Sequence, residues 1–342
     1  MVVRTVGVIL AIALSSSAAA GGEAIREVIT LLNGDRMTGE IITLHRGRLE
    51  LKTDDAGTVD IEWDKIAGIE ATRRFEVETS DGRRMLGSLG RTADQAVLMI
   101  GGTADVPLPM REVTRITPIG SSFWAKLEGA ADAGFTYTQS SGIAQTTLNA
   151  NTVYRRPAFL FRLTTSATLT ERSGEAERDD RAALEFSYVR YRGRRLFVSG
   201  STRFESNQSL GLLLRSQVSG LAGMRLVNTN RAQFELGGGL VVNDERGVDA
   251  APTQNVEGAL SLRTSYYTYD RPTTVFDGSV QYYPSLSTWG RQRLQVDSAV
   301  RRELWKRFFV ALNVFYSLDS APPNPDAART DVGVVVSVGW SY

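Results

Sequence analysis

Few residues in this chain could do chemistry, and they lie far apart. His45, in "TLHRGRL", is the one histidine. A serine nucleophile needs an adjacent imidazole base and an Asn or Asp that orients it. Any such triad would have to form around His45, which reads as a turn residue remote in sequence from the later strands. There is no cysteine, which excludes thiol catalysis and thiolate metal sites. That usage fits a compartment where thiols would be oxidised and disulfides are not used. The carboxylate pairs Asp54-Asp55 and Asp179-Asp180 fall in turn-like or loop-like stretches and read as solvated residues. Gly237-Gly238-Gly239 sits inside a strand-like segment with no helix after it, so it is no phosphate loop and marks a bend or close packing instead. No catalytic, cofactor-binding or metal-ligating residue is assigned, and the expectation is that the protein is not an enzyme. A histidine-free carboxylate hydrolase stays open as the enzymatic alternative. Formal net charge is +1, so no strong field selects nucleic acid.

The elements begin with an export signal. Arg4 supplies the positive region, "TVGVILAIAL" the short apolar run, and Ala18-Ala19-Ala20 a small-residue cleavage site before Gly21. Residues 1–20 are therefore expected to be a signal peptide. No later segment has the roughly twenty apolar residues of a membrane-spanning helix.

A repeated pattern follows over residues 21–119. "ITLLNGDRMTGEI" with "LELKTDDAGTVDIEWDKIAGIE" is matched by "FEVETSDGRRMLGSL" with "AVLMIGGTADVPLPMREVTRITP". Gly34, Arg36, Met37 and Gly39 correspond to Gly82, Arg84, Met85 and Gly87. The period of roughly 47 residues is one small structural unit, with copies at about 26–72 and 73–118. Asn, Asp and Gly at the turns tolerate the positive φ of tight hairpins. Each unit resembles an SH3-like or Sm-like small barrel. Some such barrels bind RNA, but no basic patch interleaved with aromatics is present, so an interaction or spacer module is expected.

Residues 120–342 change texture. About twelve long alternating segments are separated by breaks that are alternately short and long. A tilted strand needs about 9–11 residues to cross a bilayer. Even strand number, short turns at one end and long loops at the other mark a bacterial outer-membrane barrel. A soluble sandwich or a lipocalin-like barrel would alternate in the same way. The export signal, the pattern of breaks and the ending weigh against that alternative. In "DVGVVVSVGWSY" the apolar and aromatic residues Val332 to Trp340 and Tyr342 alternate with small or polar ones. A last strand must pair with the first, because an open edge in lipid leaves backbone groups unsatisfied. Trp340 and Tyr342 read as an assembly signal and as part of an aromatic girdle.

The order of elements, with "LLNGDRMTGEI", "LELKTDDAGTVDIEWDKI" and "GWSY", resembles the salt-induced outer membrane protein family, YdiY-like chains with a domain of unknown function. The resemblance implies an outer-membrane location with the N-terminal module in the periplasm, and no reaction. An omptin-like protease would need a histidine at the barrel's outer rim, which the barrel segment lacks. The polar faces place Lys126, Glu128, Asp132, Arg162, Glu185, Arg203, Arg225, Glu235, Glu257, Arg263, Asp277, Arg293, Asp297, Arg301 and Glu303 in the lumen. Twelve strands lie between barrels filled by their own side chains and open porins, so mixed-sign long side chains are expected to narrow the bore. The reading is a non-enzymatic anchor with an occluded charged lumen. A narrow channel for small polar solutes is the alternative, and an outer-membrane hydrolase ranks third. Expected partners are outer-membrane lipid, the barrel-assembly machinery, and a periplasmic protein or the cell wall, with no cofactor and no nucleic acid.

Overall fold

The structure, a computed structural model, describes residues 27–91, 96–100, 105–120, 123, 127–138, 143–156, 159–172, 180–247, 251–268, 270, 272–305, 307–322 and 328–341. The expected signal peptide, Lys126 and Tyr342 lie outside the described residues. Described elements are all strands apart from two single-turn 3-10 segments.

The N-terminal module contains β1 (Glu27–Leu31), β2 (Arg36–His45), β3 (Arg48–Thr53), β4 (Gly57–Glu62), β5 (Ile66–Thr79), β6 (Arg84–Arg91), β7 (Ala96–Ile100), β8 (Val106–Pro109) and β9 (Val113–Pro118). The sequence repeat appears as a repeat of pairing. Ile29 lies opposite Met37 on β2 and opposite Ile69 on the first half of β5. One period later, Val77 lies opposite Met85 on β6 and opposite Ile116 on β9. The segments "WDK" and "MRE" form equivalent 3-10 turns before β5 and β9. The copies are fused rather than strung together. β5 serves both of them, and β9 returns to pair with β2 at Leu44 opposite Ile116. The strands β1, β2, β9 and β5 thus close a small four-stranded ring. One core fills it, with Ile29, Ile41, Leu44, Phe75, Val77 and Ile116 each fully buried. Burying such a side chain contributes about 1.5–3 kcal/mol, so the strands that carry these residues hold each other in place.

The rest is a closed antiparallel barrel of twelve strands: β10 (Leu127–Thr138), β11 (Ile143–Arg155), β12 (Phe159–Arg172), β13 (Arg181–Arg192), β14 (Leu196–Asn207), β15 (Leu212–Asn228), β16 (Ala232–Gly247), β17 (Thr253–Thr268), β18 (Thr274–Pro284), β19 (Gln292–Trp305), β20 (Phe308–Asp319) and β21 (Thr330–Ser341). Closure comes from β21 on β10, with Ala131 opposite Trp340 and Ala133 opposite Val338. Four register pairs, Ala130 to Ala133 with Ser341 to Val338, make this seam. The period-2 pattern sorts side chains between the two faces. On β21, Val332, Val334, Val336, Val338 and Trp340 point outward and are exposed, while Ser337 is buried in the lumen. The glycine run has a packing reason. A Cβ on Gly239 would collide with the Gly220 backbone, and the Phe197 ring lies against Gly223 and Gly237 inside the lumen.

Candidate functional site

The module seats on the short-turn end of the barrel chiefly through two turns, with the outlying ion pairs Arg231–Asp64 at 3.8 Å and Arg307–Glu50 at 3.7 Å beside them. The first is the β2–β3 turn, where Arg46 adopts φ 53° and Gly47 φ 72°. His45 Nδ1 lies 3.3 Å from Glu128 on β10. Arg46 reaches Asp277 on β18 at 4.0 Å and lies over the buried Tyr267 ring at 5.2 Å. Arg48 pairs with Glu303 on β19 at 3.3 Å and bonds to Thr273. Arg115 donates to Glu128 at 2.5 Å. His45 is therefore more than a turn residue. Register across the ring carries it to the barrel mouth, which sequence distance alone did not show. Burial, aided by Arg115, Arg46 and Arg155, holds its imidazole well below the ordinary histidine range despite Glu128. It is neutral and locked between a carboxylate and arginines, and no serine among the described residues is paired with it.

The second point is the β5–β6 turn. Glu78 is buried, and its Oε1 accepts from Arg225 Nη1 on β15 at 2.5 Å and from Asn228 Nδ2 at 3.3 Å. Burial alone would raise the Glu78 carboxyl, but Arg225, Arg84 and Arg115 outweigh it and hold the group below its ordinary value. Arg84 and Arg225 both lie over the Tyr191 ring, at 4.8 and 4.5 Å. Gly82, at φ 83°, abuts the backbone of Arg194 in the β13–β14 turn, and a Cβ there would collide with that carbonyl. Its repeat partner Gly34 shares the positive φ but has open space around it. Of the remaining turn glycines, Gly39 lies against the Lys52 carbonyl and Gly87 pairs with Phe75. The repeat thus preserves a turn, and only the second copy uses it for docking. Asn230 also donates to the Val113 carbonyl at 2.7 Å.

The lumen beyond this seat is filled by ion pairs. At the long-loop end Arg215, Glu245, Arg291 and Asp319 form a closed ring. Arg215 donates to Glu245 at 2.7 Å and to Asp319 at 2.9 Å, and Arg291 to the same two carboxylates at 2.7 and 2.6 Å. None of the four is more than 6% exposed. Next to it Arg293 forks onto Glu257 at 2.9 and 2.5 Å, a bidentate geometry that fixes orientation as well as charge. Further along, Arg203 links Glu185 and Glu205 at 3.4 and 3.5 Å. Arg263 lies 3.8 Å from Glu185, and Arg301 3.0 Å from Asp277. Asp132 accepts from Asn149 and Ser337, and Glu235 accepts from Arg225 at 3.3 Å. Arg162 lies on the inward face of β12 and Asp297 on that of β19, near Arg203. Every described member of the expected lumen set faces inward. Arg181, Glu205, Arg215, Glu245, Arg291, Asp319 and Asp331 were missed, yet the signal was present. Arg215 and Glu245 are register partners, as are Arg203 and Glu185. A small cavity of about 50 Å³ remains in the lumen beside Glu185, Ser187, Phe197 and Arg263. No group of three His, Cys, Asp or Glu suited to a metal occurs among the described residues.

The outer face is an apolar belt. Phe135, Leu148, Phe186, Val218, Leu240 and Leu260 are all more than half exposed to the outside, the arrangement of a membrane-spanning barrel. Trp340 stands in it opposite Phe308.

A family model described as "Protein of unknown function, DUF481" matches residues 131–342. Among curated proteins none matches this chain. Similar solved structures include a bacterial polysaccharide outer membrane secretin, at TM-score 0.34 and 8% identity, covering 63% of this chain and 97% of that one. The translocator domain of the autotransporter NalP from Neisseria meningitidis has TM-score 0.34 and 12% identity, covering 63% and 87%. A porin has TM-score 0.30 and 10% identity, covering 64% and 99%.

Proposed function

The chain belongs to the DUF481 family of unknown function, and from that premise we propose that it is an outer-membrane anchor whose barrel does not conduct at rest. In this reading the mature chain starts near Gly21, and the N-terminal module is held on the periplasmic mouth for a protein or cell-wall partner. The observation that carries it is the ring Arg215–Glu245–Arg291–Asp319, buried and mutually satisfied across the lumen. Such a lattice carries no net charge to attract ions, and opening it would leave charges buried and unpaired. Both ends of an even-stranded barrel emerge on one side, and short turns mark the periplasmic side. The same reading keeps the YdiY-like, salt-induced assignment and the barrel-assembly machinery as a partner, and it assigns no residue to catalysis. A narrow channel is the second reading, favoured by the small lumen cavity.

Planar-bilayer recording separates the two. Purified protein should show no steady conductance. The triple variant Arg215→Ala, Arg291→Ala and Arg293→Ala, which removes both ring cations and the neighbouring fork, should open one, with retained heat-shifted gel migration reporting that the barrel still folds. Steady conductance at nanosiemens scale from the unmutated protein would sink the anchor reading in favour of the channel.

A further inference from the structure

The outer wall carries a groove of about 430 Å³ that runs from Leu127 on β10 to Val218 on β15, walled by Phe161, Leu163, Phe186, Tyr188 and Val218 with Gly200 in its floor. Its depth comes from pairing. Gly200 lies between Tyr188 on β13 and Gly220 on β15, so two adjacent outward positions lack a side chain while their neighbours are large. A Cβ on Gly200 would meet nothing nearer than the Ser219 carbonyl at 3.7 Å. The slot is thus open space rather than close packing.

One end of the slot is aromatic and basic. Phe159, Phe161 and Tyr188 form a cluster with centroids 5.0 to 5.6 Å apart. Beyond Tyr188, toward the short turns, Arg190 and Arg192 point outward and are exposed. Arg190 lies opposite Phe159 and Val198, and Arg192 opposite Leu196, so their cross-strand neighbours are apolar. Neither has an acidic partner among the described residues, whereas the lumen arginines are mostly paired. An unpaired cation on the outer wall of a membrane barrel is costly near the bilayer midplane and nearly free at its interface. At the interface it meets lipid phosphates.

We propose that this groove holds one acyl chain of an anionic phospholipid whose headgroup phosphate sits on Arg190 and Arg192. The apolar slot fits a chain, the aromatic cluster fits the glycerol level where amphipathic rings settle, and the two guanidiniums fit a phosphate bidentately. The inference rests on the membrane reading of the barrel. Heat-shifted migration on a gel tests that reading separately from lipid choice.

The test is native mass spectrometry of the full-length protein in detergent, with phosphatidylglycerol or phosphatidylcholine of matched chains. The wild type should retain one phosphatidylglycerol with roughly thirtyfold preference, the effect of two arginines near an anionic surface. Arg190→Gln with Arg192→Gln should bring the two lipids to parity. Gly200→Leu, which the open floor accommodates, should fill the slot and cost retention of both. If the paired variant fails to shift on heating, each single variant carries the same comparison with a smaller loss of preference. Equal retention of both lipids by the wild type overturns the proposal, as does a preference that survives loss of the arginines. So does retention unaffected by Gly200→Leu.

Discussion

Glu78→Ala should release the second seat of the module. The carboxylate is buried at 6% exposure and is shared by Arg225 at 2.5 Å, Asn228 at 3.3 Å and Arg84 at 3.6 Å. Removing one partner of a buried pair costs about 3–5 kcal/mol because the other charge is left uncompensated. Arg225 keeps Glu235 at 3.3 Å and the Tyr191 ring at 4.5 Å, so the lower end, about 3 kcal/mol, applies. At about 1.4 kcal/mol per factor of ten, the undocked population of this turn should rise roughly a hundredfold. Limited trypsin digestion in detergent reads it, since cleavage that follows fast opening tracks the open population. Cutting at Arg83 and Arg84 should accelerate by that factor. Glu78→Gln, which keeps an acceptor but loses the charge, should fall between. Because both partners belong to one pair, Glu78→Ala with Arg225→Ala should cleave little faster than the worse single variant. Additive effects, or a rate unchanged in Glu78→Ala, would refute the assignment of this contact as the seat.

Three further outcomes follow from the same geometry. Gly82→Val should raise cleavage at Arg84, because the branched side chain meets the Arg194 carbonyl; Gly34→Val suffers a similar φ strain but should leave Arg84 protected. His45 is neutral with its folded value held well below 6.5 by burial, Arg115, Arg46 and Arg155 against Glu128. Below pH 6.5 the folded state therefore binds fewer protons than the unfolded one, and stability should fall as pH drops from there toward the folded value; in thermal melts at pH 7.5 and 5.5, His45→Gln should remove that part of the difference. Arg291→Ala leaves Arg215 as the one cation paired with Glu245 and Asp319 among the described residues and should cost about 3–5 kcal/mol, read as a lower temperature for loss of the heat-shifted band.

The barrel was legible because its signal is local. Alternation along "DVGVVVSVGWSY" states which face each residue takes, and the breaks state which end each turn occupies. The inward direction of Glu185, Arg203 and Arg263 followed from the same rule. Partner identity did not follow, because a ring such as Arg215–Glu245–Arg291–Asp319 joins β15, β16, β20 and the segment preceding β19, and pairing across a lumen depends on closure and stagger. Arg291 lies between β18 and β19, where strand alternation says nothing of direction, yet it is buried among carboxylates. The tandem repeat was visible from Gly34 and Gly82, but its fusion was not. A strand shared by two copies leaves the same alternation as two separate strands, and "IAGIEATRRFEVET" reads either way. His45 shows the limit most plainly, since the ring brings β2 beside a strand more than eighty residues later.

The module stands on the barrel through two turns from different copies of the repeat, and β5 spans the distance between them within one sheet. It therefore binds as a bivalent ligand on a stiff linker. When one contact opens, the other holds the loosened turn nearer its own site than the chain connection alone would, so its effective concentration rises and swinging away requires both to open together. Retention then exceeds what either contact would give alone, without further contacts. Any molecule that competes for one turn would tilt the module while the other turn holds, and the exposed seat would be available for as long as the competitor stays.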